Sequence, residues 1–285
     1  ICGKSVPSKC TPDMHFAGSS AQYYLWLEEQ DPALLARIQA LAKDYRWDPV
    51  GGWWVEADAN IPSGESLVRQ ALYGQRTFTR LFGRPSRVAW LANSFGFSWS
   101  LPQILRKSGF EFFVTEEMRW NDTSRWPPGL NTFWWEGPDG SRIFTDIIYA
   151  YDHDLASRHL AKEFVVTRDS SASPRMLTVY GVGDHGGGPT MQMLDGARAL
   201  ERVPTFPAMR DVAPDSSLAR MRLDAHAGPV LRDELYLEFH RGVYTIGQEA
   251  TAAKMCQRPS GKYATPGVES VSSSSPPKVR RHGRF

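Results

Sequence analysis

The chain of 285 residues (32.0 kDa) is long enough for one large α/β domain or two small ones, so core size is not limiting. Its 41% hydrophobic and 22% charged residues are ordinary for a globular protein, and a formal net charge of +2 supplies no field that argues for nucleic acid or an acidic membrane. Three scattered cysteines, Cys2, Cys10 and Cys256, contain no CxxC pair and point to neither a disulfide framework nor a cysteine metal ribbon, which makes a reducing, cytoplasmic location the expectation.

Residues 1–18 carry Pro7, Pro12 and polar residues without a period, and are expected to be irregular. They hold no apolar signal-peptide core, and no apolar run in the chain is long enough to span a membrane. Gly3-Lys4-Ser5 has the end of a phosphate loop but not its upstream glycine and strand, so no weight rests on it. From Ser19 the pattern turns helical, with Ser20 as the expected cap. Asp31-Pro32 reads as the N-cap and first turn of a second helix, in which Leu34, Leu35, Ile38, Leu41 and Ala42 recur at helical spacing. A short strand and turn follow over 47–55. Ser63 then caps a helix through Leu67, Val68, Ala71, Leu72 and Phe78.

That helix delivers the chain to a short apolar strand at 87–92, which stops at Asn93. A turn containing Gly96 leads to a helix over 101–107, closed by Ser108-Gly109, and to a strand at 110–114. The segment between is the right length for a crossover to a parallel neighbour. Asn93 therefore stands at a strand mouth, where open α/β sheets bind ligands. Trp120-Asn121-Asp122-Thr123 opens a loop dense in Trp and Pro. Thr132-Phe133-Trp134-Trp135-Glu136 leads into a hairpin turn at Pro138-Asp139-Gly140, followed by a strand over 142–149. Another strand is expected at 176–180, ending in the glycine-rich Gly183-Asp184-His185-Gly186-Gly187-Gly188, then a helix over 191–200. A short helix at 216–222 and a strand at 234–239 come last. Strands alternating with helices predict a mostly parallel α/β sheet or barrel. Residues 257–285, rich in Ser, Pro, Gly and basic residues, bury too little apolar surface to order themselves and read as a disordered, solvated tail.

Ten tryptophans, several set among polar residues, suit sugar recognition, because a flat ring covers the apolar face of a pyranose; core filling is the alternative for any single one. Taken as an ordered set, Ser20-Ala21-Gln22, Pro49-Val50-Gly51-Gly52-Trp53-Trp54-Val55-Glu56, Pro62-Ser63-Gly64-Glu65, the 88–98 stretch, Trp120-Asn121, Phe133-Trp134-Trp135-Glu136-Gly137, Gly183-Asp184-His185-Gly186 and Leu237-Glu238-Phe239-His240 resemble the bacterial and cytosolic α-mannosidases of glycoside hydrolase family 38. The resemblance covers roughly residues 16–255. It implies a barrel-like, mostly parallel α/β catalytic domain with flanking helices. On this view residues 19–256 are an incomplete form of that domain, between the segment 1–18 and the tail 257–285.

The resemblance further implies retaining, zinc-dependent hydrolysis of α-mannosides, in which two carboxyl groups about 5–5.5 Å apart flank the glycosidic bond. It places the nucleophile, which is also a zinc ligand, at Asn93, where the family carries aspartate; an amide there is a degraded ligand and a poor nucleophile. It places the acid/base at Asp184, for which a plain turn carboxylate is the alternative. Trp54, Trp120, Trp134 and Trp135 are stacking candidates, with core packing the alternative for Trp134 and Trp135, and Asp58 and Asn121 are the hydroxyl partners. The other family zinc ligands have no counterpart: His15 lacks the His-x-Asp pattern, and His185 and His240 read as structural. Three readings follow: a catalytically impaired α-mannosidase fragment, a silent carbohydrate-binding protein, or a non-functional fragment of a disrupted reading frame. The expected partner is an α-mannoside or mannose-containing oligosaccharide, with no nucleic acid and no membrane.

Overall fold

A computed structural model of the protein describes residues 14–121, 130–169, 171–183, 188–225 and 227–238. A period of two decides how its sheet is buried. In β3 (Val88–Trp90) and β4 (Phe112–Thr115), Val88, Trp90, Phe112 and Val114 face one layer with Phe144, Leu218 and Met221. Ala89 and Phe113 face the other, with Leu67, Leu101, Phe133, Trp135 and Ile143. Strands covered on both faces are what a parallel sheet requires.

The strand order is β3-β4-β6-β5-β7, with β5 at Thr132–Glu136, β6 at Arg142–Ile147 and β7 at Val230–Leu231. β3, β4 and β6 run parallel, in register Trp90–Val114–Asp146. β5 returns antiparallel beside β6 through the predicted hairpin, where Gly140 (φ 80°) donates its N–H to Gly137 O at 3.0 Å. The expected barrel does not close among the described residues: the hairpin puts an antiparallel strand into the sheet, and no strand joins β7 to β3. A separate parallel pair, β1 (Phe16–Gly18) and β2 (Trp47–Pro49), approaches β3 through Gly51, whose N–H donates to Val88 O at 3.0 Å. β1 thus lies in the segment expected to be irregular.

Helices α1 (Ala21–Gln30), α2 (Pro32–Lys43) and α3 (Gly64–Phe82) share a core of Ala21, Tyr24, Leu35, Ile38, Phe78 and Leu81. The caps at Asp31 and Ser63 form as predicted, accepting from the Leu34 N–H (2.9 Å) and the Ser66 N–H (3.3 Å). Ser20 does not cap α1. It is buried at φ 67°, and the first amides of α1 instead find Trp53 O and Trp54 O, each at 3.0 Å. α4 (Leu101–Lys107) carries the crossover from β3 to β4 and stops before Gly109 (φ 90°).

Three other expectations are corrected. Residues 176–180 form no strand beyond a bridge between Tyr180 and His153, and in place of a strand at 234–239 only Leu235 bridges to Phe97. α5 (Ser157–Asp169) forms where no element was foreseen. Its inward face includes Leu160, Glu163 (1% exposed) and Thr167, while Val165 (48%) and Val166 (38%) face outward, so apolar residues do not mark its buried face. α6 (Met191–Leu200) and α7 (Pro214–Asp224) complete the described helices. Residues 184–187 of the glycine loop, which include Asp184, and the tail lie outside the described residues.

Candidate active site at the mouths of β3 and β4

Past β3 the chain stays buried through Leu91 and Ala92, then turns outward at Asn93, whose side chain is exposed. Ala92 O accepts from the Glu116 N–H at 3.2 Å, so the mouths of β3 and β4 are adjacent. The 56–60 loop is laced to the same place. Asn93 donates its N–H to Glu56 Oε1 at 2.6 Å, Ser94 Oγ donates to Ala57 O at 3.1 Å, and Asn60 Nδ2 donates to Phe95 O at 2.7 Å.

Three carboxyl groups gather there. Packing around Glu56 pushes it above the ordinary carboxylate range, against the opposing pull of the Asn93 and Ala92 N–H groups. Glu117 is fully buried, with neither carboxyl oxygen hydrogen-bonded; burial, then the charge of Glu56, push it up to about 7. Burial, then Glu117 and Asp152, push Glu116 up to about 8, against the Tyr151 backbone and Arg119. Carboxyls that hold their protons near neutrality are suited to proton transfer. Sequence reasoning passed over all three. The rule that singled out Asn93, a polar residue at the end of an apolar strand, leads after the expected strand 110–114 to Thr115-Glu116-Glu117.

Behind this crest lies a buried charge cluster. Arg119 donates to Asn131 Oδ1 and to Ile147 O (3.3 Å), and its guanidinium lies 5.5 Å from the centre of the Tyr149 ring. Burial pulls Arg119 below its ordinary value, while Asp146, Glu163, Tyr149 and Glu116 oppose that pull. Burial raises Asp146 to about 7 and Glu163 to about 8. His153 is held low by burial; its Nδ1 accepts from the Leu155 N–H (2.8 Å), and its Nε2 faces Glu163 Oε2 at 3.4 Å.

The residues named from sequence fall in different surroundings. Asp58 Oδ1 accepts from the N–H groups of Asn60 (2.7 Å) and Ile61 (3.0 Å), an Asx turn that shapes the 56–60 loop. Asn121 donates from Nδ2 to Tyr236 O (2.8 Å) and accepts at Oδ1 from the Glu238 N–H (2.7 Å), so both ends of its amide hold the 236–238 segment. Trp54 is half-buried against the core of α1–α3, edge-on to Tyr73 at 6.4 Å. Trp120 is 40% exposed beside Asn121. Asp184, His185 and His240 lie outside the described residues.

The zinc that the resemblance implies finds no matching donor set here. No three His, Cys, Asp or Glu side chains converge as ligands among the described residues, Asn93 offers only a neutral oxygen, and Glu56 Oε1 is held by the Asn93 N–H.

The family described as "Glycosyl hydrolases family 38 N-terminal domain" matches residues 8–228. Human alpha-mannosidase 2C1 is 36% identical over 250 residues, which is 87% of this chain and 24% of the human protein. The alpha-mannosidase of Saccharomyces cerevisiae is 36% identical over 266 residues, 85% of this chain and 24% of its own length. The crystal structure of an alpha-mannosidase from Enterococcus faecalis superposes with a TM-score of 0.66 at 18% identity, covering 79% of this chain and 26% of that one, a likeness of fold. The chain thus spans about a quarter of the length of these curated relatives.

Proposed function

The chain belongs to glycosyl hydrolase family 38, and from that premise we propose that it takes α-mannosides at the mouths of β3 and β4, with its hydrolytic step blunted at residue 93. One observation carries the reading: the exposed group at the mouth of β3 is a neutral amide, held by its backbone against Glu56. Retaining hydrolysis needs a carboxylate to attack the sugar and a second carboxyl to supply the proton. An amide oxygen has neither the charge nor the nucleophilicity for the first task.

For the second task the family resemblance nominates Asp184, and the proton-holding Glu116 and Glu117, at the adjoining mouth of β4, are a further source. Trp120 serves as the stacking platform for the sugar, while Asp58, Asn121 and Trp54 hold the surrounding loops and helices in place. Residues 19–256 are the catalytic module on this reading, flanked by 1–18 and 257–285. The scattered cysteines support a cytoplasmic setting.

Hydrolysis of p-nitrophenyl α-mannoside by the purified chain tests this. The wild type is expected to turn over weakly or not at all. Asn93→Asp is expected to raise the rate at least about tenfold, equivalent to about 1.4 kcal/mol in the barrier. Wild-type turnover that Asn93→Asp does not exceed would overturn the assignment of residue 93.

A second reading, sugar binding without hydrolysis, is favoured by the exposed rings of Trp120 (40%) and Tyr236 (43%), whose segments Asn121 ties together. Tryptophan fluorescence titrated with mannose and mannobiose checks it. No change at millimolar sugar counts against it.

A further inference from the structure

We propose that Asn93–Ser94 is a self-modification site, at which the folded chain converts the Asn93 amide to a carboxylate by deamidation, with water as the only co-reactant. The sequence contains four asparagines, and the structure describes all of them. Three have their amides engaged. Asn60 donates to Phe95 O (2.7 Å) and precedes Ile61. Asn121 is bonded at both ends of its amide. Asn131 is 1% exposed, accepts from Arg119 and precedes Thr132. The β-branched Ile61 and Thr132 also crowd the peptide nitrogens that would have to attack.

Asn93 differs on each count. Its side chain is exposed on a turn and makes no hydrogen bond among the described residues, so its χ1 can rotate. Its own N–H is pinned by Glu56 at 2.6 Å, which holds the backbone while leaving the side chain loose. The next residue, Ser94, is small. The Ser94 hydroxyl is directed away to Ala57 O, and the Ser94 N–H donates to nothing among the described residues. A peptide nitrogen with no acceptor among the described residues, in a residue that is itself only 4% exposed, therefore adjoins an exposed amide.

The chemistry balances without a redox partner. The Ser94 nitrogen gives up its proton and bonds to Asn93 Cγ; the Cγ–NH2 bond breaks, and ammonia leaves with that proton. Water then opens the five-membered imide. Cleavage of the new Cγ–N bond leaves aspartate, and cleavage of the original backbone C–N bond leaves isoaspartate. One water is consumed and one ammonia released. The product adds a negative charge next to Glu56, where Asn93 carries none.

Peptide mass spectrometry of the folded full chain, aged at mildly alkaline pH, tests the proposal independently of any mannoside chemistry. The peptide between Arg87 and Arg106 is expected to gain the mass of an amide-to-acid exchange several-fold faster than the peptides holding Asn60, Asn121 or Asn131. It should resolve into aspartate and isoaspartate forms, and hydroxylamine should cleave the aged chain after residue 93. Asn93→Gln, which would need a larger ring, should abolish both signals. The proposal fails if Asn93 keeps its amide, if the other asparagines convert as fast, or if the urea-unfolded chain converts Asn93 faster than the folded one.

Discussion

Asn121 shows how a polar side chain near a candidate site can work on the protein itself. Its amide reaches 115 and 117 residues along the chain, to Tyr236 O and the Glu238 N–H, and so fastens the 236–238 segment beside Trp120. Each such bond contributes about 1 kcal/mol net, and more where the freed partner stays buried. Asn121→Ala is expected to lower unfolding stability by about 1–3 kcal/mol and to speed amide hydrogen exchange at 236–238 more than in β3 or β4. Equal exchange in the two regions would remove Asn121 from this role. The same arithmetic separates it from Asn93, whose side chain carries no such bond and whose replacement by aspartate is expected to leave stability nearly unchanged while altering chemistry.

The decisive contact between elements is that of α3 with the 51–54 loop. A Cβ placed on Gly74 would stand 2.2 Å from Gly52 O and 2.5 Å from the Trp53 carbonyl carbon, so only glycine lets the helix lie this close. Gly52 itself takes φ 62°, and a Cβ there would meet the Phe110 ring at 2.4 Å. The loop between these glycines and Glu56 feeds two neighbours: its carbonyls at Trp53 and Trp54 receive the first amides of α1, and Glu56 reaches Asn93. Gly74→Ala, although alanine is the better helix former, is expected to destabilise the fold by at least about 1–3 kcal/mol through overpacking, read as a lower urea midpoint. A neutral or stabilising Gly74→Ala would mean the loop can yield. At this scale much was legible in advance. Asp31-Pro32, Ser63, Ser108-Gly109 and Pro138-Asp139-Gly140 mark boundaries that the structure keeps, because caps and turns are set by residues a few positions apart. Ser20 misled because the first amides of its helix are satisfied by Trp53 and Trp54, far along the chain, and α5 was missed because its buried face includes Glu163 and Thr167.

Across the whole molecule, buried carboxyls make stability depend on pH in an unusual direction. Glu116 and Glu163 are held up at about 8, and Glu117 and Asp146 at about 7, against ordinary values of 4.5 for glutamate and 3.8 for aspartate. As pH rises past the ordinary values the unfolded chain releases these protons first, while the folded chain keeps them. Their stabilising contribution is therefore complete at acid pH and is lost as pH climbs through the folded values. At the amino ends of β3 and β4 the opposite holds. Glu111 is drawn down to about 2 by Arg87, with Arg222 assisting, so its contribution is present above the ordinary value and lost as pH falls toward 2. The melting temperature is expected to peak near about pH 5 and to fall toward about pH 8, with Glu163→Gln flattening the alkaline limb. A melting temperature that rises from about pH 5 to about pH 8 would contradict the burial of these groups.

By itself the sequence determined the alternation of strand and helix, most of the caps and turns, and the placing of a neutral amide at the end of an apolar strand, since each depends on residues close together in the chain. Only the tertiary structure decided that the described sheet stays open, that Glu56 meets the Asn93 backbone and lies near Glu117, which in turn lies near Glu116, and that Asn121 faces the backbone of a distant segment. Those outcomes depend on contacts between residues tens of positions apart and on the loss of water around carboxyl groups, and no short window of sequence carries either.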